Sequence, residues 1–123
     1  MVPKRWRRVR TIGGNPTPDG SKPRYCGRGT ILGNDYIVRC GSKKEKHYYV
    51  VNPKTGYISN MFYSKFAANE HAAGLYKDIK LRQMDIQTIV NFCKDYTYLS
   101  CFCPLDMPCH VDPLIELLNR MPA

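Results

Sequence analysis

"YTYLSCFCPLDMPCHVDPLIELLN", residues 96–119, holds a strand, a loop dense in thiols and a helix in one uninterrupted run. Residues 96–102 are rich in β-branched and aromatic side chains, the composition of a pleated, partly buried strand. Residues 103–110 carry Pro104 and Pro108, and proline suits neither a strand interior nor a helix interior. Asp112 followed by Pro113 then marks a helix start, because a carboxylate caps free N–H groups and proline fits the first turn. Leu114, Leu117, Leu118 and Met121 recur on one face of that helix. A strand that passes through a loop into a helix is the unit from which helix-covered sheets are built.

The same logic runs upstream. "RYCGRGTILGN", residues 24–34, reads as a short strand entering a turn punctuated by Gly27, Gly29 and Gly33, and "DYIVRC" resumes extended character. "HYYVVNPKTGYISNMFY", residues 47–63, reads as a hairpin around Pro53 and Gly56. Ser64 can cap a helix over 65–81, with Ala68, Ala72, Leu75 and Ile79 on one face. Asp85 can cap a second, with Ile86, Ile89, Val90 and Cys93 recurring at helical spacing and Cys93 reading as core. The expected fold class is α/β or α+β: a small mixed sheet, Rossmann-like in part, with about three helices packed on it. Residues 1–23 read as a basic arm and linker, residues 24–123 as one domain, and the segment near 43–60 as a hairpin insertion.

The chain has 123 residues, 43% of them hydrophobic, which is enough for a sizeable core. No run approaches the roughly 20 apolar residues of a membrane span, and "MVPKRWRRVR" lacks the apolar middle of a secretory signal. The expectation is an intracellular protein with no membrane partner. Six cysteines is a low density for a disulfide scaffold, so thiols or metal thiolates are expected. The net charge of +9 is uneven: 13 lysines and arginines face three acids through Lys54. Lys4, Arg5, Arg7, Arg8 and Arg10 surround Trp6, and such an arm can neutralise phosphates while the indole stacks on a base. It also suits another acidic partner, an anionic lipid, or no partner at all.

In an extended segment, residues two apart share a face, so Cys101 and Cys103 project together. The proline-bearing loop can return Cys109 and His110 toward them, and three thiolates with one imidazole make an accepted tetrahedral zinc set, although this spacing is unusual for one. Alternatively, Cys109 before a helix N-terminus is a nucleophile candidate with His110 as its base, or the four side chains simply pack. The glycine turn, through Gly27, Arg28, Gly29, Thr30 and Asn34, can hold a phosphate or similar ligand together with Asp112, or can need glycine for geometry alone. It lacks the order of a P-loop and of a dinucleotide fingerprint. Ligands bind beyond the carboxyl ends of strands in α/β sheets, so both loops are expected to face one crevice.

Taken together, "YCGRGTILGN" and "YLSCFCPLDMPCHVDPLIELLN" resemble a small domain of unknown function found in bacteriophages, other DNA viruses and some bacteria. The matching residues are Gly27, Arg28, Gly33 and Asn34, then Cys101, Cys103, Pro104, Pro108, Cys109, His110, Asp112, Glu116 and Asn119. The chain departs from that pattern at Asp35 and Tyr36, where Pro and an aromatic residue are usual, and at Val111, where Gly is common. The resemblance implies a viral-type protein, in the host cytoplasm or a virion, and a site position, with no reaction attached. Three functional expectations result: a nucleic-acid- or nucleotide-binding protein with a zinc-holding Cys/His loop, an enzyme acting on a nucleotide or nucleobase through Cys109 or His110, and a structural component of a virion or other assembly with neighbouring subunits as partners.

Overall fold

The computed structural model describes residues 3–42, 44 and 46–120. In chain order the elements are β1 (Lys4–Arg7), β2 (Arg24–Tyr25), β3 (Ile37–Ser42), β4 (His47–Asn52), β5 (Tyr57–Ile58), α1 (Lys65–Leu75) with a π-helical continuation (Tyr76–Leu81), α2 (Ile86–Cys93), β6 (Tyr98–Cys101) and α3 (Val111–Arg120). The fold is mixed α/β, with two three-stranded sheets in place of the one expected. The first sheet is parallel, in the order β1-β6-β2, and the second is antiparallel, in the order β3-β4-β5. The partly Rossmann-like arrangement is not seen in it, since residues 8–23, which join β1 to β2, hold no helix.

The central strand β6 is buried along its whole length, as a parallel strand covered on both faces must be. Leu99 and Cys101 point into the main core, where they meet Ile89 and Cys93 of α2 and Val111 and Leu114 of α3. The opposite face carries Tyr98, against which Trp6 of β1 packs edge-on. The second sheet packs Val50, with Tyr36, Val38 and Tyr48 at its margin, against Ala68 and Ala72 of α1. Small residues at those two positions let the helix lie close to the sheet. Ser64 and Asp85 cap α1 and α2 through side-chain oxygens that accept from Ala67 N and Thr88 N.

Two local expectations change. Residues 4–7, expected in a free arm, are the edge strand β1, with Lys4 opposite Tyr98 and Arg7 opposite Cys101. The helix after Ser64 widens into a π-turn at Tyr76, which rotates the next residues relative to a 3.6-residue period. Ile79 therefore turns outward, 39% exposed, and Tyr76 and Leu81 take the buried positions. The segment near 43–60 does hold the expected hairpin of β4 and β5, though Lys43 itself lies outside the described residues, as does Met121 of the expected α3 face. No helix among the described residues is long and apolar enough to cross a membrane.

Tyr76 is the largest fully buried side chain, and its hydroxyl donates to the Leu32 carbonyl at 2.7 Å. Tyr76→Phe keeps the packing and leaves that carbonyl without a donor. It should cost about 1–3 kcal/mol, read as a lower urea midpoint at unchanged m-value; an unchanged midpoint would remove this bond from the account of the core.

Candidate functional site

The three parallel strands end at the same edge, and the segments that continue from them build one cavity of about 380 Å³. Arg10 comes from beyond β1, Gly27 and Arg28 from beyond β2, and Cys103, Met107, Cys109 and His110 from beyond β6. The far wall is Lys65, Asn69 and Ala72 of α1, with Tyr36 and Val38. The glycine turn and the cysteine loop thus face one crevice, as their positions after strands imply. Arg10, Arg28 and Lys65 line it and no Asp or Glu does.

At its base lie the sulfurs of Cys101, Cys103 and Cys109, all within 4.8 Å of one another. Cys101 Sγ and Cys109 Sγ are 2.8 Å apart. Alternation along the strand places Cys101 and Cys103 on one face, and the loop then returns Cys109 to them. Burial and mutual contact force the thiols to share charge unequally. Hydrogen bonds from Cys101 and Cys109 hold Cys103 as the thiolate, lowering its pKa to about 2 against the cost of burial, and the Arg5 charge assists. Cys101 is pushed up to about 12, chiefly by its hydrogen bond to Cys103, and Cys109 is raised by its bonds to both neighbours and by burial. The directions of these shifts make Cys103 the readiest of the three sulfurs to ionise, ahead of Cys109, the expected nucleophile.

His110 is not one of the three mutually close groups, but it borders them. Its Nε2 lies 2.7 Å from the Cys26 carbonyl, which only accepts, so Nε2 carries the proton and Nδ1 is the bare nitrogen. Nδ1 faces Cys109 Sγ at 3.6 Å. Burial keeps the ring neutral by lowering its pKa, and Tyr76 packs edge-on against it. Cys26 and Cys93 sit together in the core behind this layer, where hydrogen bonding to Cys93 and burial raise the Cys26 thiol. None of the six cysteines is in a disulfide.

The loop keeps this shape because Arg5 holds it. One guanidinium nitrogen meets Asp112 Oδ2 at 2.7 Å, and the other donates to the Met107 carbonyl at 2.7 Å and to the Pro104 carbonyl. Asp112 Oδ2 also accepts from Cys109 N at 3.0 Å. Asp112, expected as a cap and ligand residue, thus ties the end of the cysteine loop to β1. Arg5, expected to meet nucleic acid, has a side chain only 10% exposed. Burial opposes its charge, yet the bond to Asp112 more than offsets this and its pKa stays above the usual value.

The other expected residues divide. Arg28 is exposed at the cavity mouth. Thr30 spends its hydroxyl and N–H on the Gly27 carbonyl, at 2.7 Å and 3.2 Å, so neither is aimed at a phosphate. Gly33 is needed for geometry, since a Cβ there would lie 2.6 Å from the Gly27 carbonyl oxygen. Asn34 lines the cavity, but its amide already bonds the Ala72 carbonyl and Tyr36 N. Gly29 lies outside the cavity and lines a neighbouring groove with Trp6, Arg7 and Arg8. Arg10 stacks on Phe102 at 4.5 Å, and Lys4 is an exposed residue of β1. Reading the sequence misses Lys65, Asn69 and Tyr25, which reach the cavity from other elements and carry no local signal. His47 and His71 do not line the cavity; His71 pairs with Tyr57 at 2.9 Å.

No family model, curated protein or solved structure matches this chain.

Arg5→Met removes donors from Pro104 and Met107 and a partner from a half-exposed Asp112. A loss of about 2–3 kcal/mol is expected, with faster amide exchange over residues 104–112, and Arg5→Lys should restore little because one ammonium cannot hold the same planar fork. Exchange in the loop that is unchanged in Arg5→Met would show that the clamp does not order it.

Proposed function

We propose that this chain is a zinc-stapled binding protein whose crevice takes a nucleotide-type anion. The observation that carries the reading is the convergence of three sulfurs at the base of a cavity with cationic side chains and no carboxylate in its lining. Zinc held about 2.3 Å from each sulfur spaces them about 3.8 Å apart, so Cys101 and Cys109 would part by about 1 Å. His110 Nδ1, close to Cys109 but outside the close sulfur group, would supply the fourth ligand on moving toward Cys101 and Cys103. Its 3.6 Å separation from Cys109 Sγ is close to a ligand–ligand edge of such a tetrahedron, and its Nε2–H already bonds a backbone carbonyl, as metal-bound imidazoles do. Four protein ligands make the site closed and structural. The ion would hold the loop that ends β6 and starts α3.

The anion reading rests on Arg10, Arg28 and Lys65, with the rings of Tyr25, Tyr36 and Phe102 as apolar wall. A phosphate on an aromatic base matches both halves of that lining. A second reading, catalysis, is favoured by the Cys103 thiolate at the cavity wall, and in it Cys103 would replace Cys109 as nucleophile. The viral source and the structural-component role rest on the resemblance to the phage-associated domain alone.

Protein purified without chelator should carry about one zinc per chain, lost in Cys103→Ser and kept in Cys93→Ser. Loading the apo protein near pH 7 should release about two protons per ion, since Cys101 and Cys109 start protonated, measured by calorimetry in buffers of different ionisation enthalpy. Cobalt in place of zinc should give a tetrahedral spectrum that changes in His110→Gln. Metal-free protein with six titratable thiols and no cobalt uptake would sink the staple. For the crevice, Arg28→Ala should weaken a nucleoside monophosphate about tenfold or more at unchanged zinc content, and equal binding by both proteins would end the anion reading.

A further inference from the structure

A second concavity of about 1040 Å³ runs across the opposite face of the parallel sheet, where loop 8–23 and no helix covers Trp6 and Ser100. Arg7, Arg8, Lys22 and Arg24 line it, and again no Asp or Glu does. Its aromatic members are Trp6, Tyr25, Phe92 and Tyr96. The Arg24 guanidinium sits over Phe92, 3.8 Å from the ring centroid, and over Tyr96 at 5.5 Å, with its Nε donating to the Phe92 carbonyl. These contacts hold a cation beside two aromatic rings in the groove wall, the combination that serves unpaired bases and their phosphates.

The groove and the cavity meet at Tyr25, which lines both. Arg8 sits over that ring at 4.5 Å from the groove side, and Arg10 sits over Phe102 from the cavity side. Tyr25 and Phe102 pack edge-on at 5.7 Å, so a ridge of two rings, each carrying an arginine, separates the two hollows. Cations therefore continue from Lys22 and Arg7 over the ridge to Arg28 without an interrupting acid in either lining.

We infer that the groove binds single-stranded nucleic acid and that the strand crosses the Tyr25 ridge to place its end nucleotide in the cavity. This rests on the reading of the cavity as an anion site. The partner is a polyanion because every Lys, Arg, Asp or Glu in either lining is a cation, and it is single-stranded because ring faces and guanidinium planes serve bases freed from a duplex. An anionic membrane offers the charge but has no use for a concave aromatic lining. The charged segment around Trp6 therefore acts as a folded groove wall, with Arg7 and Arg8 outward and Arg5 inward.

The test uses the full chain, a fluorescein-labelled dT12, the matching dA·dT duplex and a nucleoside monophosphate. Fluorescence anisotropy should show dT12 bound at least 100-fold more tightly than the monophosphate and more tightly than the duplex. Arg7→Gln/Lys22→Gln, both exposed and outside the core, should weaken dT12 at least tenfold and reduce the slope of log K against log salt by about 1.4, with monophosphate binding unchanged. Overturning results are a dT12 affinity and slope unaltered in the double variant, a duplex bound as tightly as dT12, or phosphatidylserine vesicles bound through Arg7 and Lys22 while dT12 is not. Monophosphate binding that survives those results leaves the cavity reading standing. Oligonucleotide binding sensitive to the double variant but not to Arg28→Ala would retain the groove and remove the strand end from the cavity, overturning the inference as stated.

Discussion

Arg5 joins the two ends of the chain. Its guanidinium spans 107 residues of sequence to reach Asp112 and closes on two carbonyls of the cysteine loop, so one side chain fixes the edge strand β1, the loop and the first turn of α3 relative to each other. A loop of eight residues with two prolines has few backbone bonds of its own, among them Met107 N to the Pro104 carbonyl at 3.1 Å. Without an external anchor its conformational entropy would spread the thiols apart. The planar five-donor fork of arginine meets this need, because a single ammonium satisfies fewer acceptors at fixed angles.

That clamp also brings a cation to the thiols. A buried sulfur cluster tolerates ionisation poorly, yet the Cys103 thiol is drawn down, chiefly by hydrogen bonds from its two neighbours, with the Arg5 charge adding a smaller share. The positive charge that opposes it comes from the strand the sheet pairs with β6, and the cations at the cavity mouth come from the ends of β1 and β2. The parallel arrangement explains the concentration. All three strands end on one side, so the residues next in sequence after each strand are gathered there, including residues 10, 28 and 103.

Tyr76 links the two halves of the core. The buried row of α1, Ala68 and Ala72, continues at Tyr76, whose hydroxyl meets Leu32 and whose ring packs edge-on with His110. His110 in turn holds the Cys26 carbonyl at the end of β2. The helix after the second sheet, the glycine turn and the cysteine loop are thus in contact through two side chains, each anchored to a backbone carbonyl by a hydrogen bond.

Local chemistry alone determined much of this protein. Caps at Ser64 and Asp85, the strand at 98–101, the hairpin of β4 and β5 and the shared face of Cys101 and Cys103 arise from side-chain spacing and short-range hydrogen bonding, which act over a few residues. The convergence of the two loops came from strand order, because strand ends in α/β sheets gather ligands. Tertiary structure decided the rest. Lys4–Arg7 has no strand-like alternation of apolar residues, and it became a strand only because β6 offered an unpaired parallel edge and Asp112 a partner for Arg5. The π-turn broke the helical period that Ile79 would have followed, so that the buried position after Tyr76 falls at Leu81. The close approach of three sulfurs, which shifts the pKa values of Cys103 and Cys109 in opposite directions, depends on distances of a few ångströms that no spacing in the sequence encodes.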